Sequence, residues 1–537
     1  MARCYVFVGF LFVLSSIWTI DGFSSKQHTI LFIPLDERFT TRSIVLNMAQ
    51  LIQDDFILLT PPLDSISHWK EPANTTILFQ WLNDQIIHSC SQSNSCSLLL
   101  STEQFLYGGL INSRLSNTTL DDLYQRLDTL IGLKRTYDQQ IKLYLSAVIM
   151  RIPAYNGDFE EPDYWAMYGR LIYLWSFYTD RYSILHNPDD ELQIQALEKQ
   201  IPADILQEFV WRRQRNYNLT YRLLHDYTKN FVEHVWLTLD DNAEYGLNKG
   251  EERKLIQLVD DPTVGISSKV NIYPGADEVS LSILSQIVVN TKGQSKKPSF
   301  AVRYRNVTTQ NRIPNYEGAP LNESLLKQIT AVGGEFVNGS AADILVLVNN
   351  WSTDEQEEAS TEQTCADYSP LTVTSNENSI IVYADVRYSN GGDVCFSQWI
   401  LNRTEFGTYS YAGWNTNGNT LGTCLSNGVL LNTYSKEKRV ETSLKENRRF
   451  TLYRFVEDIQ YQANLRQILI SYLNKVSLDD LDQLNHDFDF YEKFISKGFN
   501  VYANRIDNEF QVENVYYPWN RTFEIGFALI NDQERKR

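Results

Sequence analysis

Short apolar, β-branched runs alternate with helix-length segments along most of this chain, and that rhythm admits few architectures. The runs are Thr29–Pro34, Phe56–Leu59, Leu98–Leu100, Ile141–Met150, Val235–Leu239, Val270–Tyr273, Phe300–Tyr304, Ile344–Val348, Ser379–Ala384 and Tyr409–Ala412. Between them lie segments of helical character, such as Ser43–Ile52, Thr76–Ile87, Leu120–Leu133, Lys249–Leu258 and Val279–Val288. Units of this kind build a parallel sheet covered by helices. The pattern therefore predicts an α/β fold whose repeated β-α units form a barrel-like core, or an open parallel sheet. A helical insertion is expected over 161–230, where WAMYGRLIYLWSFY and DILQEFVWRRQRNYNLTYRLLHDY carry leucine and aromatic residues at helical spacing. It divides the core into 25–160 and 231–432, and 433–537 reads as a helical C-terminal region.

The runs end in polar, often acidic residues before the next helix begins. Asp36, Glu37 and Arg38 follow the first, Glu103 the third, Asp240 and Asp241 the fifth, Asp277 and Glu278 the sixth, and Asp385 the ninth. Asp favours turns and helix caps for local reasons, which accounts for some of these positions. In a parallel sheet, however, all the carboxyl ends meet on one face, the usual place for a site. Carboxyl groups gathered there are costly to bury unless hydrogen-bonded, metal-bound or used chemically.

The N-terminal stretch Tyr5–Ile20 is mostly apolar after Arg3, so residues 1–24 are expected to be a signal peptide. Acceptor triplets for N-glycosylation at Asn74, Asn117, Asn218, Asn306, Asn322, Asn338, Asn350, Asn402 and Asn520 agree with a secreted or lumenal chain, extracellular or lysosomal. Cys90 and Cys96 flank a short polar loop and suit a disulfide, while Cys365, Cys395 and Cys424 leave an odd thiol once Cys4 departs with the signal. A net charge of −18 argues against nucleic acid and against anionic membrane surfaces as partners. After removal of the signal no stretch is long enough to insert in a membrane. Oligomeric state is left open.

Several segments carry a family resemblance: IPLDER at Ile33–Arg38, LYGGLINSR at Leu106–Arg114, IMR at Ile149–Arg151, RRQRN at Arg212–Asn216 and LDDNAEYG at Leu239–Gly246. YPGADEV at Tyr273–Val279, ADVRYSNGGD at Ala384–Asp393, YAGWNTNGNTLG at Tyr411–Gly422 and PWNRTFE at Pro518–Glu524 continue it. Together they resemble the DUF4127 family over nearly the whole mature chain. In the first segment Glu37 and Phe39 stand where the family's usual form has Asp and Pro. The resemblance groups these residues without implying a reaction.

A glycoside hydrolase-like enzyme fits the paired carboxylates best, since sugar hydrolysis uses an acid and a second carboxylate. Asp241 is the expected general acid, Asp240 the group orienting a substrate amide, and Glu278 a rival acid with Asp277 beside it. Asp36, Glu37, Arg38, Tyr107, Arg151, Arg213, Asn216, Asn242, Tyr245, Asp385, Asn390, Trp414, Asn415 and Asn419 are expected to bind the carbohydrate or other polar small substrate. Tyr245, Trp414, Asn415 and Asn419 would bind hydroxyls or stack on a ring. No cofactor and no metal is expected at this site. The alternatives are a divalent-metal hydrolase using Asp36, Asp240, Asp277 and Asp385, or a non-catalytic carbohydrate-binding ectodomain. The chain has no serine elbow of the G-x-S-x-G kind, no P-loop and no strand-linked G-x-G-x-x-G, which disfavours esterase, nucleotide and dinucleotide readings.

Overall fold

Ile30 and Phe32 leave the first strand on one side, and Leu31 and Ile33 on the other; all four are fully buried. A strand with two dry faces belongs to the middle of a sheet packed on both sides. In the computed structural model that sheet is six-stranded and parallel throughout. It comprises β1 (His28–Ile33), β2 (Phe56–Leu59), β3 (Cys96–Ser101), β4 (Ile141–Ile149), β5 (His234–Leu239) and β6 (Val270–Pro274), in the order β2-β1-β3-β4-β5-β6. A second parallel sheet holds β7 (Ser299–Tyr304), β8 (Glu335–Phe336), β9 (Ile344–Asn349), β10 (Ile380–Asp385) and β11 (Ser410–Ala412), in the order β11-β10-β9-β7-β8. The fold is thus α/β, and of the two arrangements the sequence allows it is the open sheet, formed twice. Among the described residues no single barrel closes, because β7 starts a new sheet instead of pairing with β6. The structure describes residues 27–531 and 534–536, apart from 92–93, 294–295, 340–341, 354, 356–362, 374–378, 436–439 and 476–487. The expected signal peptide, residues 1–24, lies outside the described residues.

Both sheets reverse direction beside their first strand. The chain goes from β1 outward to β2 and returns past β1 to β3; from β7 it goes to β8 and returns to β9. In open α/β sheets such a reversal opens a crevice beyond the carboxyl ends of the strands. The chain leaving β1 and the chain leaving β3 each wind into a wide π-type turn, Phe39–Ser43 and Glu103–Tyr107, a geometry often found next to sites.

Helix Val279–Lys292 sits against β3, β4 and β5 and against helices from both the N- and C-terminal parts of the chain. Its residues from Val279 to Val289 are all buried, as expected of a helix surrounded by protein. On the other face of the first sheet lie helices Thr75–Ser89, Leu120–Thr136 and Leu247–Asp260. Between β4 and β5 the chain forms helices Trp165–Leu185, Pro188–Glu198 and Ala203–Arg222, with a small core of their own around Trp165 and Phe209. The C-terminal region holds helices Val440–Arg454, Arg466–Lys475 and Phe488–Ile506, with a π-type stretch, Phe455–Leu465, joining the first two. It then adds an antiparallel hairpin that the sequence did not announce, β12 (Phe510–Tyr516) and β13 (Gly526–Asn531).

Disulfides join Cys90 to Cys96 and Cys365 to Cys395, leaving Cys424 as a buried thiol. Among the described residues no helix is long and apolar enough to cross a membrane.

Candidate active site

Ile149, Leu239 and Pro274 stand in register at the ends of β4, β5 and β6. The residues that follow them, Arg151, Asp240, Asp241 and Asp277, therefore leave the sheet as neighbours. β1 is four strand spacings from β6, roughly 19 Å across a flat sheet. Yet Arg38, just past the end of β1, places Nη2 at 2.7 Å from Asp277 Oδ1. The carboxyl ends of the first sheet thus converge.

A single ionic network fills the convergence. Arg38 also contacts Asp36 (Nη2 to Oδ2, 2.8 Å) and Glu524 (Nη1 to Oε1, 2.6 Å). Arg521 joins Glu524 at 2.9 Å and pairs with Glu160. Arg114 reaches Glu160 at 2.9 Å, Glu161 at 3.3 Å and Asp240 at 2.5 Å. Arg151 reaches Glu160 at 3.0 Å, Glu161 at 2.7 Å and Asp241 at 3.0 Å. Among the described residues, four guanidinium groups thus meet seven carboxyl groups, an excess of three negative charges if all are ionised. All four arginines are buried. Arg38 and Arg521 also lie on the ring of Trp519, at 4.5 and 4.6 Å from its centroid.

The carboxyl groups respond to this crowding in different ways. Burial alone would raise Glu160, but the guanidinium groups of Arg151, Arg521 and Arg114 hold it well below the usual carboxylate range. Asp241 goes the other way. Solvent reaches 28 % of its side chain, yet it lies deep among protein atoms. Burial and the adjacent Asp240 charge push it up to about 6. Asp277 is raised to about 7, by burial and by Glu524 and Asp36, despite the opposing pull of Arg38.

Asp240, Asp241 and Asp277 line one pocket with Tyr316, Glu317, Asn415, Thr416 and Asn419. Its cavity volume is about 30 Å³, about one water molecule's share of liquid volume and well below the roughly 300–1,000 Å³ of whole small-molecule sites. Two lining residues, Tyr316 (φ 67°) and Asn415 (φ 52°), have left-handed backbone, unusual outside glycine and concentrated at functional sites. Their strained backbones are tied into the surrounding loops: Asn242 donates its N–H to the Tyr316 carbonyl at 2.8 Å, and Asn390 donates to the Asn415 carbonyl at 2.9 Å. Asn390 is left-handed too (φ 57°).

The family described as "Protein of unknown function (DUF4127)" matches the chain over residues 30–528. The chain belongs to the DUF4127 family. No curated protein and no solved structure matches it.

In this DUF4127 chain, Asp36, Arg38, Arg151, Asp240, Asp241, Asp277, Asn415 and Asn419 gather in the network or its pocket, with Asn242 and Asn390 in the loops behind. Glu37 flanks them. It accepts from Trp69 N–H at 2.9 Å and from Trp519 Nε1 at 2.6 Å, and burial and Asp36 raise its pKa. Glu278 does not reach the pocket. Its carboxyl folds back beneath Gly275 (φ 151°), where a Cβ would stand 2.3 Å from Glu278 Oε1, and accepts from Ala276 N–H at 3.0 Å. Fully enclosed there, it is pushed up to about 8 by burial.

The remaining expected ligand-binding residues are placed elsewhere. Trp414 offers no stacking surface: it is 4 % exposed, packed in the core of the second sheet, with Nε1 donating to Thr423 Oγ1 at 3.2 Å. Arg213 spends its donors on Glu251 and on the carbonyls of Met150 and Arg151, so it braces the end of β4. Asn216 donates to the Ser113 carbonyl at 3.0 Å and lines a different, narrow cavity with Tyr107 and Glu103. Tyr245 packs edge-on against Phe177. Asp385 lies fully buried at the end of β10, bonded by Asn349 at 2.9 Å, Tyr411 at 3.0 Å and Asp393 N–H at 2.7 Å. The four aspartates of the metal reading are therefore not one ligand set, because Asp385 is in a separate cluster and Asp36 and Asp277 share Arg38. Among the described residues no group of three or more His, Cys, Asp or Glu is placed to hold a metal ion.

Glu160, Glu161, Arg114, Trp519, Arg521 and Glu524 complete the site without having been singled out as site residues from the sequence. Arg114, Trp519, Arg521 and Glu524 stand in the family segments LYGGLINSR and PWNRTFE, which is the signal that pointed to them. The loop that carries the last three, between β12 and β13, closes over the sheet ends with Trp519 and Asn520 in left-handed backbone (φ 56° and 52°).

Proposed function

We propose that this protein is a secreted hydrolase of glycosidic bonds, with Asp241 as general acid. The observation that carries the reading is the state of Asp241: a carboxyl raised to about 6, opening into a pocket, beside Asp240 held by Arg114 at 2.5 Å. Cleavage of a glycoside needs one carboxyl group protonated toward the leaving oxygen and a second one ionised. Asp241 supplies the proton. Asp240 supplies the negative charge, and Asn415, Thr416 and Asn419 are placed for hydroxyl groups. Tyr316, 43 % exposed at the pocket, provides the aromatic face that Trp414 does not.

The test is Asp241→Asn against a panel of aryl glycosides. Turnover should fall by roughly 10²- to 10⁴-fold, as for loss of a general acid, with the melting temperature within about 2 °C of wild type. Wild-type turnover should decline above about pH 6 as Asp241 loses its proton. Full activity in the variant, or no glycoside cleaved by the wild type, would reject the assignment.

The secreted placement is supported by the apolar N-terminal stretch and by acceptor asparagines that stand exposed, among them Asn74, Asn117, Asn402 and Asn520. Asn350 is different. It is fully buried, and its Nδ2, the atom a glycan would occupy, donates to the Asn306 carbonyl at 2.8 Å and to Thr309 Oγ1 at 2.9 Å. Glycopeptide mapping of protein from a eukaryotic host should find glycan at the exposed positions and none at Asn350. A modified Asn350 in folded protein would contradict this packing, and an unmodified chain retained in the cytosol would reject secretion.

A further inference from the structure

We infer that the pocket binds a primary ammonium group, so that the substrate of the proposed hydrolase is an amino sugar with a free amine. The sugar rests on the reading above; the ammonium does not. Asp240, Asp241, Asp277 and Glu317 all line the pocket, and among the described residues no Lys, Arg or His lines it. The arginines that hold three of these groups come from behind: Arg38, Arg114 and Arg151 are 4, 2 and 8 % exposed and lie outside the lining. They leave the network negative. A neutral or anionic ligand would leave that excess uncompensated in a confined space.

A second observation is independent of the carboxylates. Asn419 lines the same pocket at 4 % exposure, and among the described residues its Oδ1 has no hydrogen-bond partner. Buried carbonyl oxygens are nearly always paired, so this one awaits a donor brought by the ligand. A carboxylate-lined pocket and an unpaired amide oxygen share one requirement, a compact group with several N–H donors and a positive charge. An ammonium group has three donors and no acceptor. A hydroxyl brings one donor and no charge. An acetamido group brings one donor, together with a carbonyl that these acceptors would repel. The free amine therefore replaces the substrate amide read from the sequence.

The test is direct binding by calorimetry to the full mature chain, pretreated with chelator, at low salt and pH 7.5. The probes are glucosamine, galactosamine, glucose, N-acetylglucosamine and putrescine. At least one amino sugar should bind about tenfold or more tightly than glucose and N-acetylglucosamine, and added salt should weaken it. Asn419→Leu should weaken it by about tenfold with the melting temperature kept. Asn419→Asp, which adds a charge in the same shape, should strengthen it. Binding of putrescine without any sugar would uphold the ammonium site and count against the carbohydrate reading. Equal binding of glucose and N-acetylglucosamine would overturn the ammonium site and leave the carbohydrate reading standing. Silence of every amine, or stabilisation by magnesium, calcium or manganese with amines silent, would also overturn it.

Discussion

Replacing Arg38 by methionine should leave little folded protein. Arg38 is 4 % exposed and holds Asp36, Asp277 and Glu524 with its three guanidinium nitrogens. Methionine fills much of the same volume, so the loss is electrostatic and not a cavity. Three carboxyl groups from β1, β6 and the β12–β13 loop would then face one another without a counter-charge. Removing one partner of a buried ion pair costs about 3–5 kcal/mol, a large share of the about 5–15 kcal/mol that holds a typical domain folded. The three acids also come from remote parts of the chain, so their repulsion would pry the C-terminal hairpin off the sheet ends. Soluble yield and thermal unfolding measure this. Arg38→Lys keeps the charge but not the planar fork, and should fall between wild type and Arg38→Met. Neutralising the orphaned acids, Arg38→Met with Asp277→Asn and Glu524→Gln, should recover part of the loss, a coupling that a purely steric role would not show. An Arg38→Met protein melting within about 2 °C of wild type would mean that the network does not hold these elements together.

The elements of this network differ in how visible they are along the chain. The strand ends Asp36–Arg38, Asp240–Asp241 and Asp277 were legible because each follows a short apolar run, and a parallel sheet sends all such ends to one face. The partition into two sheets was not. It depends on β7 failing to pair with β6, a choice between distant strands that leaves no local mark. Glu160 and Glu161 were invisible for a similar reason. They lie in a loop without periodicity and read as solvated acids, and only Arg114, Arg151 and Arg521 bury them. The Arg521–Glu160 contact spans 361 residues. Trp414 misled in the other direction. Flanked by Gly413, Asn415, Thr416 and Asn417 it looks like an exposed loop aromatic, but the helix from Asn417 turns it inward, where Thr423 satisfies its N–H. Composition cannot distinguish a tryptophan that enters a core from one that rims a pocket.

The buried acids should also make this protein more stable in mild acid than at neutral pH. Burial raises Glu278 to about 8, and Asp277, Asp385 and Glu103 each to about 7, with the neighbouring Asp393 charge adding to the shift at Asp385. In the unfolded chain the same groups release their protons near pH 4. Between those values the folded state holds more protons than the unfolded state, so stability falls as pH rises. The loss starts near pH 4 and is complete once the folded groups have ionised near pH 8. Below pH 4 the trend reverses through Glu160, whose folded pKa is depressed, because its stabilisation disappears as it is protonated. The melting temperature should therefore peak in mild acid and drop by about 5 °C or more from pH 5 to pH 8. Glu278 tests the cause. It lies outside the pocket and carries the highest of the four values, and Glu278→Gln keeps its shape while removing its titration. Its Oε2 accepts from Ala276 N–H at 3.0 Å, a bond that the glutamine carbonyl retains. The variant should track wild type or fall slightly below it at pH 5 and gain on it steadily toward pH 8. A wild-type melting temperature that is flat or rising across this interval would remove the argument for neutral buried acids. A Glu278→Gln curve parallel to wild type would show that Glu278 is not one of them.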